Sequence, residues 1–157
     1  MSNYKTFHFY STMIFKKHII FFLITVLVFG CKKDDNEDIF TINIISTEPL
    51  AITEFQENIM VKIQYMHPEG FVGFFDPDYL SLEVKDSRLA NADYYHIIPV
   101  SPPNDNVNVK GELLLEIDAP FVFGNGLSET LTYDIRIQDL NQQWSNKVTT
   151  SVITVSK

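Results

Sequence analysis

The chain has 157 residues, with 12 lysines and arginines against 20 aspartates and glutamates, a formal charge of −8, and one cysteine. That balance argues against nucleic acid as a partner, because phosphate backbones are bound through clustered Lys and Arg. One thiol excludes an internal disulfide framework, so the fold must hold by packing, and the length suits one domain with one core.

In chain order, the first feature is a basic pair, Lys16 and Lys17. An apolar run from Ile19 to Phe29 follows, then Gly30, Cys31 and a polar stretch from Lys32 to Asp38. The run is too short for a transmembrane helix, which needs ~20 apolar residues to cross the hydrocarbon. A buried free cysteine would not sit between such a run and so polar a stretch. The pattern is that of a secretory signal peptide. Within it, Val28-Phe29-Gly30-Cys31 resembles the lipobox of bacterial lipoproteins. The resemblance implies that residues 1–30 are removed and that Cys31 is acylated on its sulfur and its new amino group. Stable anchoring needs more than one acyl chain, which such a cysteine supplies. Met13 opens a more compact basic region than Met1, and either can be the start, with Met13 the expected one.

Residues 31–38 read as a lipidated cysteine and an acidic tether. Asp34, Asp35, Asn36, Glu37 and Asp38 cannot bury apolar surface, so the tether is expected to be disordered. Lysine and acids directly after the cysteine resemble the export signal of Bacteroidota lipoproteins. That implies a place on the bacterial outer membrane, facing outward.

From Ile39 to Lys157 the pattern is alternation of apolar and polar residues broken by turn signals, the period-two mark of half-buried strands. Phe40, Ile42 and Ile44 share one face, as do Val61, Ile63 and Tyr65, and then Leu80, Leu82 and Val84. A weaker strand lies between Asp93 and Val100, expected at an edge because Pro99 cannot donate to a ladder. Leu113, Leu115 and Ile117 form the next face, with Leu114 and Glu116 opposite. Leu131, Tyr133, Ile135 and Ile137 point inward from the most regular strand, and Val148 to Val155 reads as the last one. No helical stripe of useful length exists. The expectation is an all-β domain over residues 39–157, an immunoglobulin-like antiparallel β-sandwich. Tyr133 would occupy the place of its tyrosine corner.

Chemistry-bearing motifs are few. There is no Gly-x-Ser-x-Gly, and neither His67 nor His96 has zinc-ligand spacing. Both are expected as surface hydrogen-bonding residues, and no enzyme activity or cofactor is expected. The loop from Tyr65 to Gly73, with Leu82 to Arg88, Tyr133 to Asp139 and Trp144 to Thr150, resembles small Bacteroidota lipoproteins with an immunoglobulin-like domain. In that family the second strand ends in Tyr-x-Asp-x-Asp-Gly-Asp-Ile-Gly, an oxygen-rich loop suited to Ca²⁺. Here His67 and Phe71 stand in place of acids and Glu69 alone keeps a carboxylate. No metal is therefore expected, although Asp76 and Asp78 follow closely and would form a weak site with Glu69 if the loop folded back.

Aromatic residues cluster at Phe71, Phe74 and Phe75, at Tyr94 and Tyr95, at Phe121 and Phe123, and at Trp144. Phenylalanine has no polar tip, so these rings are expected to plug the sandwich ends. Tyr94 and Trp144 have polar tips that tolerate water and are the candidate ligand contacts. The expected function is a membrane-anchored, surface-exposed lipoprotein acting as a non-catalytic binding or structural module, with a surface protein or glycan as partner. The alternative is a glycan-binding accessory of an outer-membrane nutrient-uptake system.

Overall fold

Val, Ile, Thr and Tyr recur at alternate positions through most of the domain, and such residues pack well on a pleated, half-buried surface. A computed structural model describes residues 39–70, 73–99 and 108–157. The expected signal peptide, Cys31, the tether, Phe71 and Val100 lie outside the described residues. Among the described residues the chain forms strands and no helix. They are β1 (Thr41–Glu48), β2 (Ala51–Thr53), β3 (Ile59–His67), β4 (Leu82–Asp86) and β5 (Asp93–Tyr95), followed by β6 (Val109–Ile117), β7 (Ser128–Leu131), β8 (Tyr133–Ile137), β9 (Val148–Thr149) and β10 (Ile153–Ser156).

One sheet has the order β1-β3-β6, and two others have the orders β2-β10-β7 and β5-β4-β8-β9. β7 runs into β8 across a single residue, Thr132, and β9 runs into β10 across Thr150 to Val152. The last two sheets are thus halves of one bent layer with the order β2-β9/β10-β7/β8-β4-β5. Set against the lettering of immunoglobulin domains, β1, β3 and β6 correspond to A, B and E, and β4, β8 and β9 to C, F and G. The all-β, sandwich-like class expected from the alternation is the one found. One pair departs from antiparallel order: β10 runs parallel to β2.

The core fills the space between the layers. Ile42, Val61, Ile63, Ile135, Ile137, Ile153 and Val155 have no exposed surface. The first five lie on the face that the alternation assigns to the interior. On β6 the pattern is softer, with Leu113, Leu115 and Ile117 only partly buried against the core and Leu114 exposed. Gly111 of β6 lies under the ring of Tyr65, which occupies the space a Cβ would need.

Several strand expectations change, among them the last strand, which divides into β9 and β10, and the stretch from Asp93 to Val100, of which only Asp93–Tyr95 is strand. Leu80 is exposed and precedes β4, which starts at Leu82. The stretch from Leu131 to Ile137 is not one strand, because its first residue pairs with Ile153 of β10 and its last with Leu82 of β4. Tyr133 makes no tyrosine corner. It lies at this mid-strand switch, its ring buried and its hydroxyl without a hydrogen-bond partner among the described residues. Burial, helped by the nearby Asp86 charge, pushes that hydroxyl's pKa up to about 12.

Candidate functional site

Tyr94 and Trp144 are fifty positions apart in the chain, and sheet pairing brings them to one face. Glu83 of β4 stands directly opposite Tyr94 of β5 and Arg136 of β8. Because Leu82 and Val84 face the core, these three residues share the outer face of the sheet. The Tyr94 hydroxyl donates to Glu83 Oε2 at 3.0 Å, and Arg136 Nη2 donates to the same oxygen. An isolated bridge between Gln138 and Trp144 holds the indole so that the Arg136 guanidinium lies 4.4 Å from its ring centre. The result is a continuous row: Tyr94, Glu83, Arg136, Trp144.

The row is electrostatically closed. Glu83 is only 4% exposed although it points outward, because its neighbours cover it. Hydrogen bonding from Arg136, opposed by burial and aided by Tyr94, holds the Glu83 carboxyl below the usual glutamate range. The same contact raises the Arg136 guanidinium, and hydrogen bonding to Glu83 raises the Tyr94 hydroxyl. A carboxyl held low by two donors is poorly placed for proton transfer near neutral pH. The Arg136 Nε is buried without a partner among the described residues.

Sequence reasoning placed His67 on an exposed loop. The structure buries it at the end of β3, with Phe40 packed on its ring at 4.9 Å. Its Nδ1 accepts the Glu69 N–H at 3.1 Å, which puts the ring proton on Nε2, facing Asp139 Oδ2 at 3.3 Å. Asp139 Oδ1 in turn accepts the N–H groups of Asn141 and Gln143 at 2.9 and 2.8 Å. This buried pair pins the loop after β3 to the loop after β8. It was missed because a histidine's partner seventy residues away leaves no local signal.

The candidate metal residues go elsewhere. The Glu69 carboxylate accepts the side-chain amide of Asn141 at 3.2 Å, and Asp76 Oδ1 caps its own turn through the Asp78 N–H at 3.0 Å. Among the described residues no three His, Cys, Asp or Glu side chains gather as a cation would require, so Glu69, Asp76 and Asp78 do not form one site. His96, also expected at the surface, donates from Nε2 to the Phe74 carbonyl at 2.7 Å. Phe74 itself stacks on Tyr79 at 3.8 Å.

On the opposite face of β4 from the row, an open cavity of about 260 Å³ lies between the edge strands β5 and β6, lined by Leu82, Val84, Leu115 and Ile117 with Tyr95, His96, Glu116 and Asp118. The expectation that phenylalanines plug the sandwich ends is overturned for Phe75, Phe121 and Phe123, all of which are exposed. Comparison with protein-family models, with curated proteins and with solved structures finds no match.

Proposed function

We propose that this domain is a non-catalytic binding or structural module carried on the outer face of the bacterial outer membrane by a lipid on Cys31. The observation that carries the binding role is the convergence of Tyr94 and Trp144 on one sheet face through Glu83 and Arg136. A row whose charges are already paired, flanked by two aromatic rings, is preorganised to receive a ligand by contact. It has no activated nucleophile and no carboxyl tuned for acid–base work.

Anchoring rests on the lipobox-like Val28-Phe29-Gly30-Cys31. It is tested by labelling cells with a palmitate analogue: the native protein takes up label, and Cys31→Ser accumulates as an unlabelled, uncleaved precursor. Label retained on Cys31→Ser would place the lipid elsewhere and remove the anchor.

A second reading, a glycan-binding accessory of a nutrient-uptake system, is favoured by the ring of Trp144 and the half-exposed ring of Tyr94 on the same face. Trp144 is the sole tryptophan of the chain, so its emission reports on this face directly. Titration with soluble glucan, mannan and xylan oligosaccharides should shift that emission for the class bound, and Tyr94→Ala should weaken the response. A flat response to all three leaves a protein partner as the ligand of the row.

A further inference from the structure

The end of the sandwich remote from Thr41 carries a second surface, built on different residues. β1 runs from Thr41, paired with Met66, to Glu48, paired with Met60. The turns after β2 and β4 and the connection from β6 to β7 therefore all emerge at the far end. Polar side chains tie these three loops together. Glu54 Oε2 accepts the Val122 N–H at 3.1 Å. Arg88, mostly buried, forms a bidentate pair with Asp86, Nε to Oδ1 and Nη2 to Oδ2, and donates from Nη1 to the Phe121 carbonyl at 2.8 Å and to Glu129 at 3.2 Å. Glu129 also accepts the N–H groups of Phe123 and Gly124 at 3.1 and 2.7 Å.

What this scaffold holds outward is apolar. Phe55 stacks on Phe121 with ring centres 5.3 Å apart, Phe121 meets Phe123 edge-on at 4.8 Å, and Arg88 supports the Phe123 ring from 4.3 Å. Phe55 is 69% exposed and Leu127 is 82% exposed. Phe55 also has a φ of 62°, in the third position of a turn closed by Gln56 N–H to the Thr53 carbonyl at 3.2 Å. That position favours glycine or asparagine, and a bulky residue there is a backbone outlier. A ring left mostly in water gains little burial to offset a strained backbone, whereas a rigid aromatic anchor is what an interface hot spot needs.

We infer that this platform docks a partner protein through an apolar segment flanked by basic residues. The hydrogen-bonding groups behind the rings are engaged internally, so little is left to recognise sugar hydroxyls. Glu57 is exposed, as are Glu116 and Asp118 at the end of β6, which Asn58 ties down through Glu116 and the Ala119 N–H. Among the described residues these acids outnumber the one exposed cation beside the rings, Lys157, whose Nζ donates to the Gly124 carbonyl at 3.3 Å. Arg88 is locked in ion pairs, so the complementary partner is positive. A second copy of a chain with charge −8 meets like charge at this rim. The contact does not depend on the anchor proposed above.

The test uses the full chain in nanodiscs of zwitterionic lipid and fluorescein-labelled peptides read by anisotropy. A peptide with a Leu-Phe-Leu centre and two lysines on each side should bind about tenfold or more tighter than its glutamate-flanked counterpart. Phe55→Gly should weaken binding at least about fivefold while leaving Tm unchanged or raised, because glycine takes this φ without strain. Leu127→Ser, at an exposed position, should weaken it as well. Trp144→Phe should leave it unchanged, which separates this surface from the sheet-face row. Equal binding of the two peptides, absence of binding, or indifference to both Phe55→Gly and Leu127→Ser would overturn the inference. So would a dimer in sedimentation that Phe55→Gly dissolves, or binding of fluorescein-labelled glucan, mannan or xylan oligosaccharides lost in Phe55→Gly, which would assign the platform to a second copy or to a glycan.

Discussion

Glu83 shows how a single residue can change character without changing position. Alternation puts it on the solvent face, yet Tyr94 and Arg136 leave it 4% exposed. A carboxylate removed from water is tolerated only where charge-assisted hydrogen bonds replace its hydration, and Arg136 supplies the first of these. Because its folded-state pKa lies below the unfolded one, this pairing stabilises fully above the ordinary glutamate value, about 4.3. The contribution is lost as pH falls through the depressed folded value. Glu83→Gln should therefore cost about 1–3 kcal/mol at neutral pH. In urea melts, the gap between the variant and the native protein should narrow as pH drops from about 5 towards 3. A gap of constant size across that range would show that the carboxylate's charge is not what the row uses.

Among the elements, the strand that switches sheets carries the most information. Between Leu131 and Tyr133, and again between Thr149 and Ile153, the chain leaves one ladder and joins another. Each crossing strands backbone groups that must find partners. Thr150 answers for two of them at Tyr133: its N–H donates to the Tyr133 carbonyl at 2.9 Å, and its Oγ1 accepts the Tyr133 N–H at 2.9 Å. Ser87 does the same at Thr132, with its Oγ 3.0 Å from the Thr132 nitrogen and its N–H 2.9 Å from the Thr132 carbonyl. Thr150→Val preserves shape and β-branching but leaves the buried Tyr133 N–H without an acceptor. It should lower stability by about 1–3 kcal/mol and speed hydrogen exchange at the Tyr133 amide. Unchanged exchange at that amide would mean that the hydroxyl is not its acceptor. Alternation alone reads Leu131 to Ile137 as uninterrupted strand, because the inward phase continues through Thr132 while the pairing partner changes. At the second crossing the phase slips by one, with Thr150 and Ile153 both buried and Val152 exposed between them.

At the scale of the whole domain, stability rests on one core between the layers, without any disulfide to constrain the unfolded chain. Ile135 lies at its centre with no exposed surface, on the β8 strand that pairs with both β4 and β9. Ile135→Ala should cost about 2–5 kcal/mol through lost burial and the cavity left behind. Thr132→Ala, whose neighbouring contacts run through backbone groups, should cost under ~0.5 kcal/mol. Equal denaturant midpoints for the two variants would contradict the inward phase of this strand.

Sequence alone determined the all-β class and the inward phase of nearly every strand, which depend on a local property, the two-residue period of a pleated chain with one wet face. Pro99 pointed to an edge for the stretch from Asp93 to Val100, and the strand found there, Asp93–Tyr95, is an edge. It also singled out Tyr94 and Trp144, since polar-tipped rings in a β-rich chain stand out by type. Tertiary structure decided everything that depends on who meets whom. It buried His67 against Asp139, joined Tyr94 to Trp144 through Glu83 and Arg136, and drew Glu69, Asp76 and Asp78 apart. It also left Phe75, Phe121 and Phe123 facing water where rings were expected to plug the ends. Partner choice between distant segments follows from sheet order and register, and no periodicity within one segment encodes its neighbour across the sheet.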